Sequence, residues 1–444
     1  ALHLIIAGAV VLTGGGVATG ARAQAEGRAA QIEEIVVTAR KREERLQDVP
    51  VAASAMTAEQ ITDIGGFTTN AQIGNYLTGV SIDPDGIPEF FVRGAGIGRA
   101  PTTDSATTQL RNGAETAGGF GGRSFTPLDM FDLAQIEVYR GPQGALYGRN
   151  AVGGVINIVN QAPKPDFEYS IFSSWDFKRD EKRLEGIVNV PLVADRLFLR
   201  AGIQYQEERG LYYNQFRHER FQGNDQLGGR LALKALISES VDSTLFLDYG
   251  KQEVPTGPRD ITFGQSNYTN SGAVGPDGLP VTGFRFFPIS GDSFRQAFDT
   301  PALQTDKLTN VNWTTNVDTP VGLLQSITQY RHRNFELTSD NDASYVGGPL
   351  VVAPCGTTSG GRAITTNKCV DSRPSDTEIF TQEFRLLSPD GAPFQWLLGA
   401  DYRYLENSFN ILRTGRVLAA NQFLVRAGAG TVDSYLAVRI TQVA

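Results

Sequence analysis

The chain has 444 residues, a formal net charge of -8 and an apolar fraction of 41%, so its length allows two or three domains while its composition leaves the class open. The acidic balance argues against a nucleic-acid partner, because neutralising phosphates requires a basic surface. With two cysteines and only three histidines, His3, His218 and His332, neither a disulfide scaffold nor a structural zinc site is expected.

Residues 1–25 have the pattern of a secretory signal peptide. Residues 2–12 are almost unbroken apolar sequence, and the small-residue stretch 21–25 offers two overlapping Ala-x-Ala cleavage sites. About 11 apolar residues are too few to span a bilayer, and the glycines at 14–16 would end a buried helix, which is the alternative. We expect the mature chain to begin near Glu26. Because Ala1 follows neither Met nor a basic segment, truncation is expected at this end.

Residues 26–45 are predicted to be a charged leader that contains one short β-prone run. This run is Glu34, Ile35, Val36, Val37 and Thr38. A strand without neighbours is available to pair with a strand of another chain, so the run favours β-augmentation. An ordinary leader segment is the alternative.

Residues 46–165 have the mixed texture of a small α+β domain. Residues 49–56 predict a strand, and Thr57 with Gln60 predicts a helix start with a capping box. Two further strands are expected around 136–138 and 155–158, joined by a link whose glycines permit positive φ and close backbone approach. Asn112-Gly113 favours a tight turn. Three polar residues of the link, Arg140, Arg149 and Asn150, suit a surface that lies against the polar face of the strands that follow.

The order of motifs in this part of the chain resembles that of TonB-dependent outer-membrane receptors. The resemblance rests on the runs 34–39, 46–50, 91–94, 136–150 and 153–158, and it continues loosely through 381–386. It implies that 34–38 is a TonB box and that 46–165 is a plug domain. The implied plug-motif residues are Arg93, Gly94, Arg140, Gly141, Pro142, Gly144, Tyr147, Gly148, Gly153 and Gly154. Where relatives commonly have a Val-Asp-Gly turn, this chain has Leu110-Arg111-Asn112-Gly113, so a ligand contact from that Asp is not carried over.

The resemblance also implies a function. TonB, energised across the inner membrane, would pair with the box and pull on the plug in the outer membrane of a Gram-negative bacterium. The implied ligand is a ferric siderophore, with carbohydrate or cobalamin import as alternatives. Iron would then enter only as part of a transported complex, with no resident cofactor.

Six residues are candidates for ligand contact. Three arginines in the Ser/Thr/Gly-rich part of the plug suit an anionic ligand, and three phenylalanines of an outer loop suit a catecholate or a sugar. Solvated loop arginines and a small loop core are the alternatives. The candidates are Arg99, Arg111, Arg123, Phe284, Phe286 and Phe287.

Residues 166–444 are predicted to form a partial membrane β-barrel. Apolar and polar residues alternate with a period of two, as in lipid-out, polar-in strands. Short connectors alternate with long ones along the chain, and the short connector 178–182 is the exception. A soluble β-sandwich would not be expected to show this alternation. The predicted strands are 168–177, 183–190, 196–206, 228–237, 243–251, 306–316, 321–336, 378–387 and 394–406.

About nine strands are countable, whereas plugged outer-membrane transporters have about 22. The end at Ala444 lacks a terminal aromatic residue, so we expect a truncated barrel that alone neither inserts nor transports. Two other classes of protein are alternatives. A passive porin would lack the plug motifs and the box. A secreted enzyme would need a catalytic constellation, and the glycine pattern at 94–98 is followed by Pro101 and threonines where a dinucleotide site needs a helix.

We predict a disulfide between Cys355 and Cys369. Both cysteines lie in the long connector 338–377, separated by 13 residues, on the side predicted to be oxidising. In the chain-entropy account a loop of this size is worth about 3 kcal/mol. Alkylation without reductant should leave the mass unchanged, whereas uptake of two labels would show free thiols and contradict the bond.

Overall fold

The structure is a computed structural model that describes most of the chain after the first 34 residues. The described residues are 35–38, 41–42, 44–67, 72–83, 89–95, 106–116, 126–148, 150–178, 180–214, 217–256, 295–296, 302–340, 353–357, 363–366, 369–389, 391–409, 412–416, 424–427 and 438–443.

The first part of the chain forms short strands and helices. In chain order these are β1 (Val36–Val37), β2 (Glu44–Arg45), β3 (Ala53–Thr57), α1 (Ala58–Asp63), α2 (Ile73–Tyr76), β4 (Val80–Asp83), β5 (Glu89–Val92), β6 (Thr107–Arg111), β7 (Ala114–Glu115), a 3-10 turn (Pro127–Met130), β8 (Leu133–Arg140), α3 (Gly144–Tyr147) and β9 (Gly154–Asn160).

A five-stranded sheet in the order β3-β8-β9-β6-β7 is the centre of this domain. Strands β6 and β9 run parallel, and β8 pairs antiparallel with both β3 and β9. The capping box predicted at the start of α1 is present, since Thr57 accepts from the Gln60 N–H and Gln60 accepts from the Thr57 N–H. The β8 and β9 side chains Ile136, Val138, Ile156 and Ile158 are all fully buried in the core.

The second part of the chain is dominated by long antiparallel strands. They are β10 (Glu168–Asp176), β11 (Glu181–Val193), β12 (Leu197–Glu208), β13 (Tyr212–Asn214), β14 (Glu219–Phe221), β15 (Asn224–Ser238), β16 (Val241–Pro255), β17 (Arg295–Gln296), β18 (Leu303–Thr319), β19 (Gly322–Asp340), β20 (Ala353–Thr357), β21 (Ala363–Thr366), β22 (Cys369–Leu387), β23 (Leu397–Phe409), β24 (Leu412–Arg416), β25 (Leu424–Ala427) and β26 (Val438–Val443).

Within the described residues, the long strands form one sheet in the order β10-β11-β12-β15-β16-β18-β19-β22-β23-β26. Every neighbour in this order is antiparallel, and the sequence order is kept from end to end. The short turns 194–196, 239–240, 320–321 and 388–396 lie at one end of the strands, and the long connections lie at the other. The predicted strands and connector parity are therefore confirmed, with most strands longer than predicted.

The two faces of this sheet differ in polarity. On β12 the buried side chains Arg200, Gln204 and Gln206 alternate with the exposed side chains Ile203 and Tyr205. The same alternation continues on β15 and β16, where Arg230 and Asp248 are buried while Leu227, Leu231, Leu247 and Tyr249 are exposed. The apolar face therefore points outwards, and the polar face is covered by the rest of the chain.

The small domain is seated on the polar face of the long sheet. Strand β11 contacts it through Arg183, which donates to the Gly65 carbonyl, and β23 contacts it through Arg403, which pairs with Glu115. Contacts with the small domain therefore extend from β11 to β23. The prediction of a partial barrel together with an α+β domain is therefore confirmed, and the two pack against each other. None of the helices in the part of the chain that the structure describes is long and apolar enough to cross a membrane.

We predict that Gly202→Ala loosens the seating of the small domain. A Cβ at this β12 position would lie 2.7 Å from Cζ and 2.8 Å from Cε1 of Phe131, whose ring is almost fully buried against the sheet. Overpacking of this kind costs about 1–3 kcal/mol. Limited proteolysis of the small domain in the whole protein should become faster. Gly186→Ala is the matched control, because its nearest contact would be the Ile203 side chain at 3.8 Å; equal protease resistance in both variants would contradict the prediction.

Candidate functional site

The predicted TonB box lies docked on the chain itself. Val36 and Val37 pair antiparallel with Arg45 and Glu44, and the Leu46 N–H donates to the Ile35 carbonyl at 2.8 Å. Val37 is fully buried, while Val36 is 42% exposed. The expectation of a strand without neighbours is therefore wrong: the leader folds back within ten residues and satisfies part of its own backbone. Glu34 lies outside the described residues.

The end of the box is held by a buried carboxylate. Glu137 of β8 is fully buried, and its carboxylate oxygens accept hydrogen bonds from the Thr38 N–H at 2.9 Å and the Thr38 hydroxyl at 2.6 Å. Three plug side chains donate to the same carboxylate: Gln135 at 2.6 Å, Tyr139 at 2.9 Å and Asn157 at 2.8 Å. We name these five residues the Glu137 cluster. A buried charge is tolerated when it is hydrogen-bonded in this way. The four plug residues of the cluster therefore form a binding site for Thr38.

Two basic residues after the box connect the leader to the long sheet. The Lys41 ammonium pairs with Glu383 of β22. Arg42 donates to the Ser388 carbonyl at 3.1 Å, the Ser388 hydroxyl at 2.7 Å and the Trp396 carbonyl at 2.8 Å. Burial and the neighbouring Arg385 lower the pKa of Lys41, although its partner Glu383 opposes the shift. The leader is therefore attached at the same time to the plug and to the short β22–β23 connection.

The plug-motif residues meet around the link between β8 and β9. Arg93 lies over Gly141, where a Cβ would come within 3.1 Å of its guanidinium. A Cβ at Gly154 would lie 2.3 Å from the Tyr139 carbonyl oxygen, so the chain needs glycine there for the close approach of its own backbone. Tyr147 stacks on Tyr139 with ring centroids 6.2 Å apart and donates to the Thr38 carbonyl at 3.4 Å. The motif thus shapes the surface on which the box docks.

The remaining motif residues belong to the same link. Gly94 and Gly148 have positive φ, while Gly144 begins α3 and Pro142 precedes it. Gly153 lies against Ala95, because a Cβ there would be 2.7 Å from the Ala95 Cβ. Arg140 was expected to face the polar sheet, and this is wrong: it donates to the Thr78 and Ala53 carbonyls within the small domain. Arg149 lies outside the described residues.

A second polar site joins the plug to the strands of the long sheet. Asp129 receives both Nη1 and Nη2 of Arg331 at 2.9 Å and Nη1 of Arg111 at 3.3 Å. Arg111 also pairs with Asp248 at 2.8 Å, and Asp248 pairs with Arg230 at 2.6 Å. We name these five residues, which have side-chain exposures of at most 3%, the wall network. Two of its members are plug residues and three belong to β15, β16 and β19.

The charges of the wall network determine the ionisation of its plug carboxylate. Burial alone would raise the pKa of Asp129, but the Arg331 and Arg111 guanidinium groups and the Thr126 N–H outweigh it and hold that pKa well below the usual value of 3.8. Asp129 is therefore charged at neutral pH. The neighbouring residues extend the contact: Arg230 donates to the Phe131 carbonyl, and Arg200 binds Asp132 with two bonds of 2.7 Å.

The structure corrects one candidate ligand contact and leaves the others undescribed. Arg111 is fully buried and bound to Asp129 and Asp248, so the expectation that it lies open to a ligand is wrong. The other five candidates lie outside the described residues: Arg99, Arg123, Phe284, Phe286 and Phe287. The side chains of Cys355 and Cys369 are also outside the description, so the disulfide stays a prediction.

Sequence reasoning missed the residues that hold the box and the plug. Glu137 and Asn157 lie inside the motif runs 136–150 and 153–158, but the motif was read from its glycines and arginines. A carboxylate and an amide at the centre of two strongly apolar strands were the signal, because buried polar groups need partners. Asp129, Asp248 and Arg331 carried no such local signal, since their partners are 18 to 202 residues away in the sequence.

A sheet of consecutive antiparallel strands, apolar outside and polar inside around an α+β domain, defines a plugged β-barrel, of which this chain forms a part. Residues 45–155 match the family model of the TonB-dependent receptor plug domain. The resemblance found in the sequence is therefore confirmed: the chain carries the plug domain of TonB-dependent receptors, followed by barrel strands.

Individual relatives agree with this assignment. The chain is 34% identical over 129 residues to the vitamin B12 transporter BtuB of Vibrio vulnificus, a segment of 28% of this chain and 20% of that protein. It is 29% identical over 133 residues to the pesticin receptor of Yersinia pestis, covering 29% of this chain and 19% of that protein. The chain thus matches only about a fifth of the length of these relatives.

Solved structures extend the similarity into the barrel. The ferric yersiniabactin uptake receptor FyuA of Yersinia pestis aligns with a TM-score of 0.60 and 16% identity, over 82% of this chain and 50% of that one. The siderophore receptor PiuA of Acinetobacter baumannii aligns with a TM-score of 0.59 and 15% identity, over 87% of this chain and 49% of that one. At such identities the likeness establishes the fold, and the chain spans about half the length of these receptors.

We predict that Asp129→Asn strongly weakens the hold of the wall on the plug. The substitution removes the carboxylate that is hydrogen-bonded to the buried Arg331 and Arg111, and breaking such a pair costs about 3–5 kcal/mol. Hydrogen exchange of the β6 and β9 amides in the whole protein should accelerate accordingly. Asp48→Asn is the control, because its pair with Arg45 is more than half exposed and its loss should stay within about 0.5 kcal/mol; equal exchange in the two variants would contradict the assignment.

The same carboxylate predicts a direction for the pH dependence. Because its folded-state pKa is depressed, Asp129 contributes its full stabilisation above the usual value of 3.8 and loses it as the pH falls through the lower folded value. We expect the plug of the unaltered protein to lose stability on acidification below about pH 4 more steeply than the Asp129→Asn variant. Exchange rates measured across that range check this, and parallel curves would contradict it.

Proposed function

We propose that this protein is a TonB-dependent receptor that imports a scarce ligand across the outer membrane of a Gram-negative bacterium. The observation that carries the proposal is the docked leader strand at residues 35–38, held by the Glu137 cluster of a domain that matches the plug family. A plug attached to a short leader strand suits an energised importer that is pulled from outside, because the outer membrane has no nucleotide supply of its own.

The docking contacts support a role for TonB as the partner of the leader. The strand β1 is only two residues long, and its pairing partner β2 is equally short. A pairing of two residues contributes little stability. A strand of another chain can replace β2 as the partner of β1, because it offers main-chain hydrogen bonds of the same kind. The proposed step is therefore strand exchange: TonB pairs with the box, and the pull on the leader loosens the plug and opens a path for the ligand.

A ferric siderophore is the ligand class that we propose. FyuA is described as a ferric yersiniabactin uptake receptor and PiuA as a siderophore receptor, and both share their fold with this chain. The match to a vitamin B12 transporter over the plug favours cobalamin as the second candidate. The iron would be cargo within the siderophore, and the protein itself needs no resident metal for this function.

Growth on single nutrient sources tests the proposed function and ligand class together. Cells that depend on the whole gene for uptake should grow on one ferric siderophore as the only iron source, and deletion of TonB should abolish that growth. Growth on cobalamin alone would select the second candidate. Ion conductance and uptake that persist without TonB would support a passive porin and contradict the proposal.

We predict that Val36→Pro abolishes uptake while ligand binding is retained. Proline removes the backbone N–H that a paired strand donates, and residue 36 lies in β1, outside the wall network. Val36→Thr is the matched control, because it keeps both the N–H and the β-branched shape. Uptake of labelled ligand and binding to whole cells should be measured side by side; normal uptake by the proline variant would defeat the assignment of the box.

A further inference from the structure

The tight turn between β6 and β7 touches both the barrel wall and the plug core. Asn112 and Gly113 have φ values of 48° and 78°, as the Asn-Gly pair predicts for a tight turn. The preceding residue, Arg111, is a member of the wall network. The Gly113 carbonyl accepts from Arg385 of β22 at 3.2 Å. The Asn112 side chain donates to Asn312 of β18 at 3.5 Å. The position of this turn therefore depends on three strands of the sheet, β16, β18 and β22.

Asn157 connects this turn to the TonB box. Its side-chain oxygen accepts from the Gly113 N–H at 3.2 Å, and its side-chain nitrogen donates to the Thr38 hydroxyl at 3.0 Å and to Glu137 at 2.8 Å. The residue lies in β9, directly opposite Glu137 on one side and Leu110 on the other. It is 2% exposed, so water does not readily replace a lost partner.

The two ends of the amide are not interchangeable. The oxygen can only accept and the nitrogen can only donate, so a rotation that follows a displaced Gly113 withdraws the donor from Thr38. In the proposed function the leader has two arrangements, docked in the Glu137 cluster as in this structure or released to TonB. A two-state element whose balance depends on a second site is what physical coupling requires.

We propose that Asn157 is a positioning residue that relays the position of the Arg111–Gly113 turn to the TonB box. When the wall strands hold the turn as in this structure, Asn157 holds Thr38 in the Glu137 cluster. When the turn shifts, Thr38 loses one of its hydrogen bonds and the leader is released more readily. This inference rests on the proposed function, because it assigns the regulation of the same box.

A double-substitution cycle in the whole protein tests the relay. The readout is the labelling rate of a cysteine placed at the buried position 37, Val37→Cys, by a thiol reagent in outer membranes from cells without TonB and without ligand. Asn112→Ala disturbs the turn, because alanine disfavours its positive φ. We expect it to raise the labelling rate by at least about fivefold. In combination with Asn157→Leu, Asn112→Ala should add nothing.

Gln135→Leu is the matched control for the relay. Gln135 donates to Glu137 at 2.6 Å but has no contact with Gly113 or Thr38 among the described hydrogen bonds. Removing it weakens the cluster while leaving the relay intact, so the effect of Asn112→Ala should persist at full size. Asn157→Ala replaces the leucine variant if the barrel of the latter fails to show normal heat-modifiable migration.

Three results would overturn the relay. They are no effect of Asn112→Ala alone, effects of the two substitutions that multiply, and an Asn157→Leu rate equal to that of the urea-unfolded protein. The labelling needs no TonB, no ligand and no transport. Failure of the proposed function, seen as normal uptake by Val36→Pro, is therefore distinguishable from failure of the relay.

Discussion

The charges buried between the plug and the barrel wall determine how the plug can be placed against the long sheet. A polar lumen face cannot be covered by an apolar domain without leaving its arginines and amides unpaired, which is expensive in a dry interface. Asp129 and Asp132 meet this need for Arg331 and Arg200, while Arg111 meets it for Asp248. The plug and the barrel wall thus carry opposite charges at facing positions, and the observed position of the plug pairs all of these charges.

Docking of the leader also depends on a buried charge that needs partners, but here the partners are neutral hydrogen-bond donors. Within the described part of the chain, the hydrogen bonds to Glu137 come from neutral donors, and two of these donors belong to Thr38. Removing Thr38 therefore leaves a buried carboxylate with fewer partners, and this makes docking favourable although the strand pairing is minimal. The Lys41–Glu383 pair adds a charged attachment beside it. The box is held by polar groups that the plug already requires for its own core.

Much of the fold followed from the sequence because its signals are local. Period-two alternation gave the long strands, the Thr57–Gln60 pair gave the helix start, and Asn112-Gly113 gave the turn. The site was less accessible. Arg111 looked like a solvated loop arginine because Asp248, its partner, is 137 residues further along the chain. The leader looked free because strand pairing over a gap of a few residues, Val36 with Arg45, leaves no periodic pattern. Contacts between distant elements, unlike turns and caps, have no signature in a single sequence.

The two sets of plug contacts differ in how they share a load. A force applied to the chain before Ile35 acts first on the two residue pairs of β1 and β2. It then acts on Thr38, and after that on Lys41 and Arg42. These contacts can therefore break one at a time. The segment from Asp129 to Asp132 is instead gripped by Arg200, Arg230 and Arg331 from three separate strands, and all three would have to give way together. The leader contacts thus resist a pulling force weakly and in sequence, whereas the contacts of residues 129–132 resist it together.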